Sequence, residues 1–558
     1  MSVIKFFALG GLGESGKNIY IVDVDDKIFI LDCGLKFPSF DLYGIDAVIP
    51  DISYLIKNKE RIQGIFLSHG HEDHIGALPE LLKKINTAVF GSRFTMALAE
   101  LALVDAGMPV EDYRLYRVTD DKILFFGNIK VHFFALSHSV PETFGITIMT
   151  ENGALVYAPD FSFTHNNDRR YQTSYQKIVE TAQGGVLALF SESLGAGNLN
   201  RVTNDYILVH HINDILQSAK RVIFSMFSDD LQRIQKIINI SVEKKRRIAI
   251  IGKKAQKTIN IALKNDYLNI PSDRLVNLKY ITDDNKNDEE DLVVIVTGNR
   301  HEPYYNLQRM STGQDRLIEI TNRDHIVVIS EPRTGTERLA QKVIGLLHRL
   351  DAKVTIIPKD ILQSSHANSE DLKLLYAMLK PKYVIPINGE YRHQCQQYDI
   401  ALEAGFRKEN VILIGNGEIV SFVDGELAAK GDKIPVGDVL VDGSFVGDIN
   451  EVVLKDREFL SQEGIILVVI ILDVRLKKIV AGPRVLLKGF MAGATAEEVE
   501  KKIVKVATDI MEIYFLKKYI DWNDLKSSLR DAVAKEVFQV TKKNPIIMPS
   551  LIDVESNK

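Results

Sequence analysis

Ser68-His69-Gly70-His71-Glu72-Asp73-His74 decides the reading of this chain. It stands directly after the apolar run Ile65-Phe66-Leu67 and before the helix-like stretch Gly76 to Ile85, so it occupies a strand-to-helix turn. Three imidazoles and a carboxylate at such a turn offer nitrogen and oxygen donors to two adjacent cations. Surface histidines in a polar turn, or a structural zinc site, would not need the His-x-His-x-Asp-His spacing. Other strand ends supply groups of the same kind. Asp32 closes Leu31-Asp32-Cys33-Gly34, His138 lies in Leu136-Ser137-His138-Ser139, and Asp160 ends Tyr157-Ala158-Pro159-Asp160. Each alone is an ordinary turn residue, but together with the loop they predict a two-metal site.

Composition bounds what surrounds this loop. The 558 residues exceed one compact core and predict roughly three or four domains. A hydrophobic fraction of 46% and a charged fraction of 26% exclude disordered and collagenous classes. Cys33 and Cys395 are the only cysteines, which argues against a disulfide or cysteine–zinc framework and predicts a reducing, cytoplasmic setting. The opening stretch Met1 to Glu14 is interrupted by Lys5 and lacks the long apolar core of a secretory leader. The apolar run Ile465 to Leu472 is far below the roughly 18 to 20 residues that span a bilayer, and reads as a buried strand; no membrane association is expected. A formal net charge of −5 argues against a general polyanion binder, so any nucleic-acid contact must be local.

Residues 1–160 read as short period-two apolar runs with a helix at Pro79 to Ile85. From about Leu208 to Pro358 helices and strands alternate: a helix over Gln232 to Val242, strands at Arg247 to Ile251 and Leu292 to Thr297, a helix over Arg338 to Leu350. A helix at Glu370 to Leu379, the strand Tyr383 to Ile387 and short strands over Ile412 to Val423 follow, then a Gly-, Asp- and Pro-containing linker. A last unit has strands near 451–487 and helices near 496–515 and 523–538; Trp522 reads as core or dimer interface. Gly11-Leu12-Gly13-Glu14-Ser15-Gly16-Lys17 nearly fits a phosphate-binding loop, but Asn18 and the strand Ile19 to Val24 follow where a Ser or Thr and a helix are needed. The basic clusters Lys244 to Arg247 and Lys253 to Lys257 read first as solvated faces.

With Asp32, the His69 to His74 string, His138 and Asp160 in this order, the chain resembles the metallo-β-lactamase superfamily. Glu192 in Phe190-Ser191-Glu192-Ser193, His366 in Gln363-Ser364-Ser365-His366 and the segment Pro386 to His393 resemble the β-CASP nuclease motifs. Gly10 to Asn18, Phe227 to Gln235 and a C-terminal domain of similar size extend the resemblance to the ribonuclease J family along essentially the whole chain. It implies an α/β chain: a metallo-β-lactamase αββα sandwich with an inserted doubly wound β-CASP domain and a small α+β C-terminal domain. The first part of the sandwich is expected at 1–208, the insert at 209–358, the second part at 359–427, a linker at 428–448 and a C-terminal oligomerisation domain at 449–558.

The resemblance implies two divalent metal ions, zinc or manganese, with His69, His71 and His138 on one, Asp73 and His74 on the other, and Asp160 bridging. Asp32, Asp73, Glu192 and His366 are the catalytic candidates, His366 as proton donor to the leaving 3′-oxygen. Ser225, Ser228, Ser364, Ser365 and Arg392 are the RNA- and phosphate-binding candidates, although a salt bridge would account for Arg392 equally well. Four positions depart from the family pattern. Asn388 stands where a histidine usually completes the second metal site, and is a weak or absent ligand. Glu192 replaces Asp, Ser364-Ser365 replaces Ser-Gly, and Thr297-Gly298-Asn299-Arg300-His301-Glu302-Pro303 replaces Thr-Gly-Ser-Gln-Gly-Glu-Pro. Such changes resemble those of the weakly active second paralogue of Gram-positive bacteria. The implied activity is a metal-dependent ribonuclease on single-stranded RNA, a 5′-to-3′ exonuclease with endonuclease activity, in mRNA decay and rRNA maturation. Implied assemblies are a homodimer or homotetramer, a hetero-oligomer with a ribonuclease J paralogue, and an RNA-degradation complex. The alternatives are a largely structural partner subunit of an active paralogue, and a DNA-processing β-CASP nuclease, which the full-length resemblance disfavours.

Overall fold

A computed structural model describes residues 2–39, 42–164, 166, 168–198, 205–252, 255–278, 290–329, 332–333, 335–428, 431, 433–443 and 445–554. The chain divides into two compact units, one of Met1–Phe37 with Ala47–Val439, the other of Pro38–Asp46 with Leu440–Lys558.

In the larger unit the period-two runs become two sheets. Eight strands lie in the order Glu426–Leu427, Val420–Val423, Val3–Gly10, Ile19–Val24, Lys27–Leu31, Ile62–Phe66, Val89–Gly91, Leu115–Arg117. Six more lie in the order Tyr383–Ile387, Val186–Glu192, Gly153–Ala158, Thr143–Thr150, Ile129–Leu136, Ile123–Phe126. A single apolar core joins them, with Phe6 of the first sheet stacked on Phe190 of the second at 3.9 Å between ring centroids. On its other face the six-stranded sheet packs on the helices Tyr175–Ala182, Ser369–Leu379 and Tyr391–Glu403, giving a second core around Phe161, Leu375 and Ile400. Ile19–Val24 and Val186–Glu192 are buried at every position rather than at alternate ones, because both faces of their sheets are covered.

After Glu192 the chain leaves the six-stranded sheet, and it rejoins that sheet at Tyr383–Ile387, which pairs in parallel with Val186–Glu192. Between them lies a five-stranded, fully parallel sheet in the order Arg247–Ile251, Leu292–Gly298, Val222–Phe227, His325–Val328, Lys353–Ile356. Helices such as Leu231–Glu243, Glu302–Ser311 and Glu337–Arg349 connect the strands, the doubly wound arrangement expected from the helix–strand alternation. Of Ile412 to Val423, only Val420–Val423 forms a named strand; Val411 makes an isolated bridge to Val384.

The smaller unit holds a three-stranded sheet, ordered Lys478–Lys488, Ile465–Asp473, Ile546–Asp553, with the helices Ala494–Phe515 and Trp522–Thr541 packed on one face. Two expectations need correcting. Residues 451–463 form a helix rather than a strand, because Asn450 caps it by accepting from the amides of Val452 and Val453, and Gly464 ends it at φ 77°. The run Ile465 to Leu472 is fully buried on one face only, through Ile466, Val468, Ile470 and Leu472. Trp522 packs against that same core. Among the described residues no helix is long and apolar enough to cross a membrane.

The near-P-loop opens no helix; Lys17 is buried against Glu14 and Asp438, and the strand Ile19–Val24 follows. In the Lys244 to Arg247 cluster, Arg246 donates to the carbonyls of Leu216, Ala219, Lys220 and Glu290, and Arg247 pairs with Asp291. These two arginines tie down loop ends rather than forming a solvated face. Lys253 and Lys254 lie outside the described residues, and Lys257 pairs with Asp105.

Candidate active site

The strand Ile62–Phe66 leads into the Ser68 to His74 turn, in which Ser68, His69 and His74 are fully enclosed, His71 and Asp73 half-buried and Glu72 exposed. Hydrogen bonds then fix which nitrogen of each ring faces inward. His138 Nδ1–H donates to the Ser365 carbonyl at 2.8 Å, leaving its Nε2 lone pair 3.3 Å from His71 Nδ1. His71 Nε2–H donates to the Asp229 carbonyl at 3.2 Å, so its Nδ1 is also a lone pair, 3.1 Å from His69 Nε2. His69 Nδ1 lies 2.9 Å from the Ser68 hydroxyl, which itself donates to Asp32, so Nδ1–H donates to Ser68 and His69 Nε2 is a lone pair as well; three inward lone pairs fit a cation. Asp160 Oδ2 completes the group at 3.7 Å from His69 Nε2 and 4.0 Å from His138 Nε2.

A second group shares that oxygen. His74 Nδ1–H donates to Asp32 Oδ2 at 2.7 Å, which turns its Nε2 toward Asp160 Oδ2 at 3.5 Å and Asp73 Oδ2 at 3.6 Å. The residues present therefore fit two cations, with His69, His71, His138 and Asp160 around one and Asp73, His74 and Asp160 around the other. Asp32 is fully buried and accepts from the Ser68 amide and hydroxyl, both at 2.7 Å, and from Tyr157 Oη at 2.5 Å, in addition to His74. Its place is behind the cluster, holding His74 in one orientation.

Asn388 follows the strand Tyr383–Ile387 in the left-handed region, φ 43°, which asparagine tolerates better than most residues. Its Nδ2 donates to Asp160 Oδ1, while its buried Oδ1 has no hydrogen-bond partner. The amide thus orients the shared carboxylate, and its one free acceptor is a neutral oxygen.

Glu192 ends its strand completely buried and accepts from the Phe161 amide at 2.6 Å, the Ala367 amide at 3.0 Å and His366 Nδ1 at 2.8 Å. Burial pushes its carboxyl up, to about 7, and burial also opposes charge on His366. For the imidazole, Glu192 and then Asp160 outweigh that burial and raise it to about 9. With two backbone amides already on its oxygens, Glu192 is the acceptor and His366 the donor of the shared proton. Asp160, Glu192 and His366 are close enough to cage a cation, but the hydrogen bond between them already occupies Glu192 and the Nδ1 of His366.

The phosphate candidates separate. Ser364 and Ser365 line a small polar cavity with Ser139, Asp230 and Arg233. Ser225 and Ser228 are buried, and the Ser228 hydroxyl donates to Asn299 Oδ1 at 2.7 Å, so they do not present open hydroxyls. Arg392 is exposed and bonded to Glu390 at 2.7 Å, the salt-bridge reading. Tyr157, Asp229 and Ser68 are supporting residues that sequence reasoning missed. Tyr157 lay within Tyr157-Ala158-Pro159-Asp160, but only the fold brings it to Asp32.

Sandwich, insert and convergent donors define a hydrolase of the metallo-β-lactamase superfamily with a β-CASP insertion. Residues 12–100 match the metallo-beta-lactamase superfamily and 219–347 the ribonuclease J beta-CASP domain. Residues 359–412 match the Zn-dependent metallo-hydrolase RNA specificity domain and 452–554 the ribonuclease J C-terminal domain. The chain is 34% identical to "Ribonuclease J 2" of Staphylococcus epidermidis over 552 residues, covering 99% of this chain and 98% of that protein. It is 35% identical to "Ribonuclease J2" of Bacillus subtilis over 552 residues, covering 99% of each. To "Ribonuclease J 2" of Streptococcus pyogenes it is 35% identical over 556 residues, covering 99% of this chain and all of that one. The chain belongs to the ribonuclease J family. A crystal structure of a protein of unknown function from Enterococcus faecalis shares the fold, with a TM-score of 0.53 at 16% identity over 75% of this chain and all of that one.

Proposed function

We propose that the chain is a metal-dependent ribonuclease of single-stranded RNA, a 5′-to-3′ exonuclease with endonuclease activity, weak when alone, that serves mRNA decay and rRNA maturation in the cytoplasm. The observation that carries this reading is the set of ring lone pairs of His69, His71 and His138 converging with Asp160, which Asp73 and His74 share. Divalent cations, zinc or manganese, would be held by these residues and would supply Lewis-acid polarisation of a phosphodiester and a nucleophile at neutral pH. The chain's own groups do the rest. Asp32 orients His74, and Asn388 orients Asp160. His366, held by Glu192 with its side chain 31% exposed, donates a proton to the leaving 3′-oxygen. Ser364 and Ser365 are the phosphate contacts of this reading, the Ser365 carbonyl being the one that holds His138.

A second reading, a largely structural partner of an active paralogue, is favoured by Asn388, whose amide engages Asp160 where a stronger ligand would stand. In either case the assembly is a homodimer or homotetramer, or a hetero-oligomer with a paralogue in an RNA-degradation complex, with residues 449–558 as the associating domain and 209–358 as the insert. Purified chain, alone and mixed with a candidate paralogue, is to be incubated with 5′-monophosphorylated single-stranded RNA and each metal. Slow metal-dependent release of mononucleotides from the 5′ end by the chain alone supports the nuclease reading. No cleavage alone, with acceleration of the paralogue, supports the structural one.

A further inference from the structure

Two arginines of the inserted unit stand beside the histidine–aspartate cluster without a part in the scheme above. The guanidinium of Arg333 lies over the Phe227 ring at 4.5 Å from its centroid and is bonded to Asp229, whose carbonyl accepts from His71. Its side chain is 40% exposed, so a planar fork of further N–H groups remains accessible. The guanidinium of Arg300 lies over the Phe37 ring at 4.7 Å. Arg300 is held in the left-handed region, φ 50°, which costs a non-glycine residue conformational energy. Its loop is pinned on both sides: Asn299 Nδ2 donates to Glu72 of the histidine loop at 3.1 Å, and the Asn299 amide donates to Glu302 at 3.0 Å.

The charges around the pair are unevenly arranged. Burial disfavours the charge on Arg300 and the neighbouring Arg333 adds to this, with Glu72 opposing. Arg333 feels burial against its charge and, outweighing it, the pull of Asp229 first, then Asp73 and Glu72, so it lies within the field of the second metal-ligand group. Arg333 is paired with Asp229 and keeps further N–H groups beside Arg300, and planar guanidiniums of this kind match phosphate oxygens.

We propose that Arg300 and Arg333 form a two-guanidinium clamp that grips a phosphate of the RNA strand beside the histidine–aspartate cluster. The clamp rests on the reading of the site as an RNA-cleaving centre. Binding of a labelled, 5′-monophosphorylated single-stranded RNA is to be followed by fluorescence anisotropy across a KCl series, without added divalent metal so that the strand stays whole. The Arg300→Gln/Arg333→Gln variant is expected to weaken Kd by about tenfold or more and to flatten the salt dependence by about 0.7 for each phosphate that is no longer neutralised. The Arg300→Lys/Arg333→Lys variant, keeping both charges, retains the wild-type slope with part of the affinity gone. Wild-type Kd and slope in the glutamine variant overturn the clamp, as does weakened affinity with an unchanged slope, which means the side chains only shape the cleft. If the glutamine variant fails to fold, a folded lysine variant whose slope has flattened overturns it equally. Absence of RNA binding by the wild-type chain defeats the functional reading itself and the clamp with it.

Discussion

At His71 the two ring nitrogens have different tasks: Nε2–H is fixed on the Asp229 carbonyl and Nδ1 faces His69 and His138. Changing Asn388→His should raise bound metal toward two ions per chain and increase the rate on 5′-monophosphorylated RNA by about tenfold or more, the scale on which a metal-site support acts. The left-handed backbone accepts histidine almost as readily as asparagine, so the fold should hold. Unchanged metal content and rate in a folded variant place the weakness elsewhere, with Glu192 and the Asn299-Arg300-His301 stretch next. The Glu192–His366 pair gives a pH test. Because Glu192 raises the imidazole to about 9, the protonated donor is full below its ordinary value and is lost as pH rises through about 9. Glu192→Gln removes the carboxylate charge, so the alkaline limb of the kcat profile should move about one to three units lower. An unmoved limb means that His366 is not the proton donor. For the paired substitution His69→Ala/His71→Ala, bound metal and activity should both vanish while the circular dichroism spectrum is kept, because the ligands sit on a turn. That donor string was legible in the sequence, since ligands supplied by one loop must be close in the chain as well. Its supports were not, because Asp229 lies 158 residues from His71 and Tyr157 lies 125 from Asp32.

Strand ends carry the site, and one of them shows how much the elements depend on it. Asp32, at the end of Lys27–Leu31, receives the Ser68 loop after Ile62–Phe66, the helix residue His74 and Tyr157 of Gly153–Ala158. Asp32→Ala would leave four buried donors without an acceptor, which should cost about 3 kcal/mol or more, read as a lower urea midpoint. A variant as stable as the parent would show that the network is dispensable to the fold. At this scale the period-two runs and the helix–strand alternation announced the sandwich and the parallel sheet, because both follow from which faces of an element must be apolar. The 451–463 stretch misled because Val452, Val453 and Leu454 look strand-like, whereas the capping Asn450 and the terminating Gly464 decide for a helix. Arg246 looked like part of a solvated patch because a charge run carries no sign of the four carbonyls that its guanidinium reaches.

For the whole molecule, the smaller unit sets the expectation about assembly. The face of its sheet opposite the two helices carries Leu486, Met548 and Ile552, each about half exposed, on the same side as the half-buried Leu467 and Ile471. Removing residues 449–558 should reduce the particle to a monomer by light scattering, and an unchanged mass per particle would count against an associating role. The central claim, a metal-dependent RNA-cleaving centre, is tested most directly by comparing RNA hydrolysis by the metal-reconstituted chain, the chelated chain and the His69→Ala/His71→Ala variant. Hydrolysis of 5′-monophosphorylated single-stranded RNA that appears with metal and disappears with chelation and in the variant is the predicted result. Hydrolysis that survives chelation, or that the variant performs as well as the parent, would contradict it.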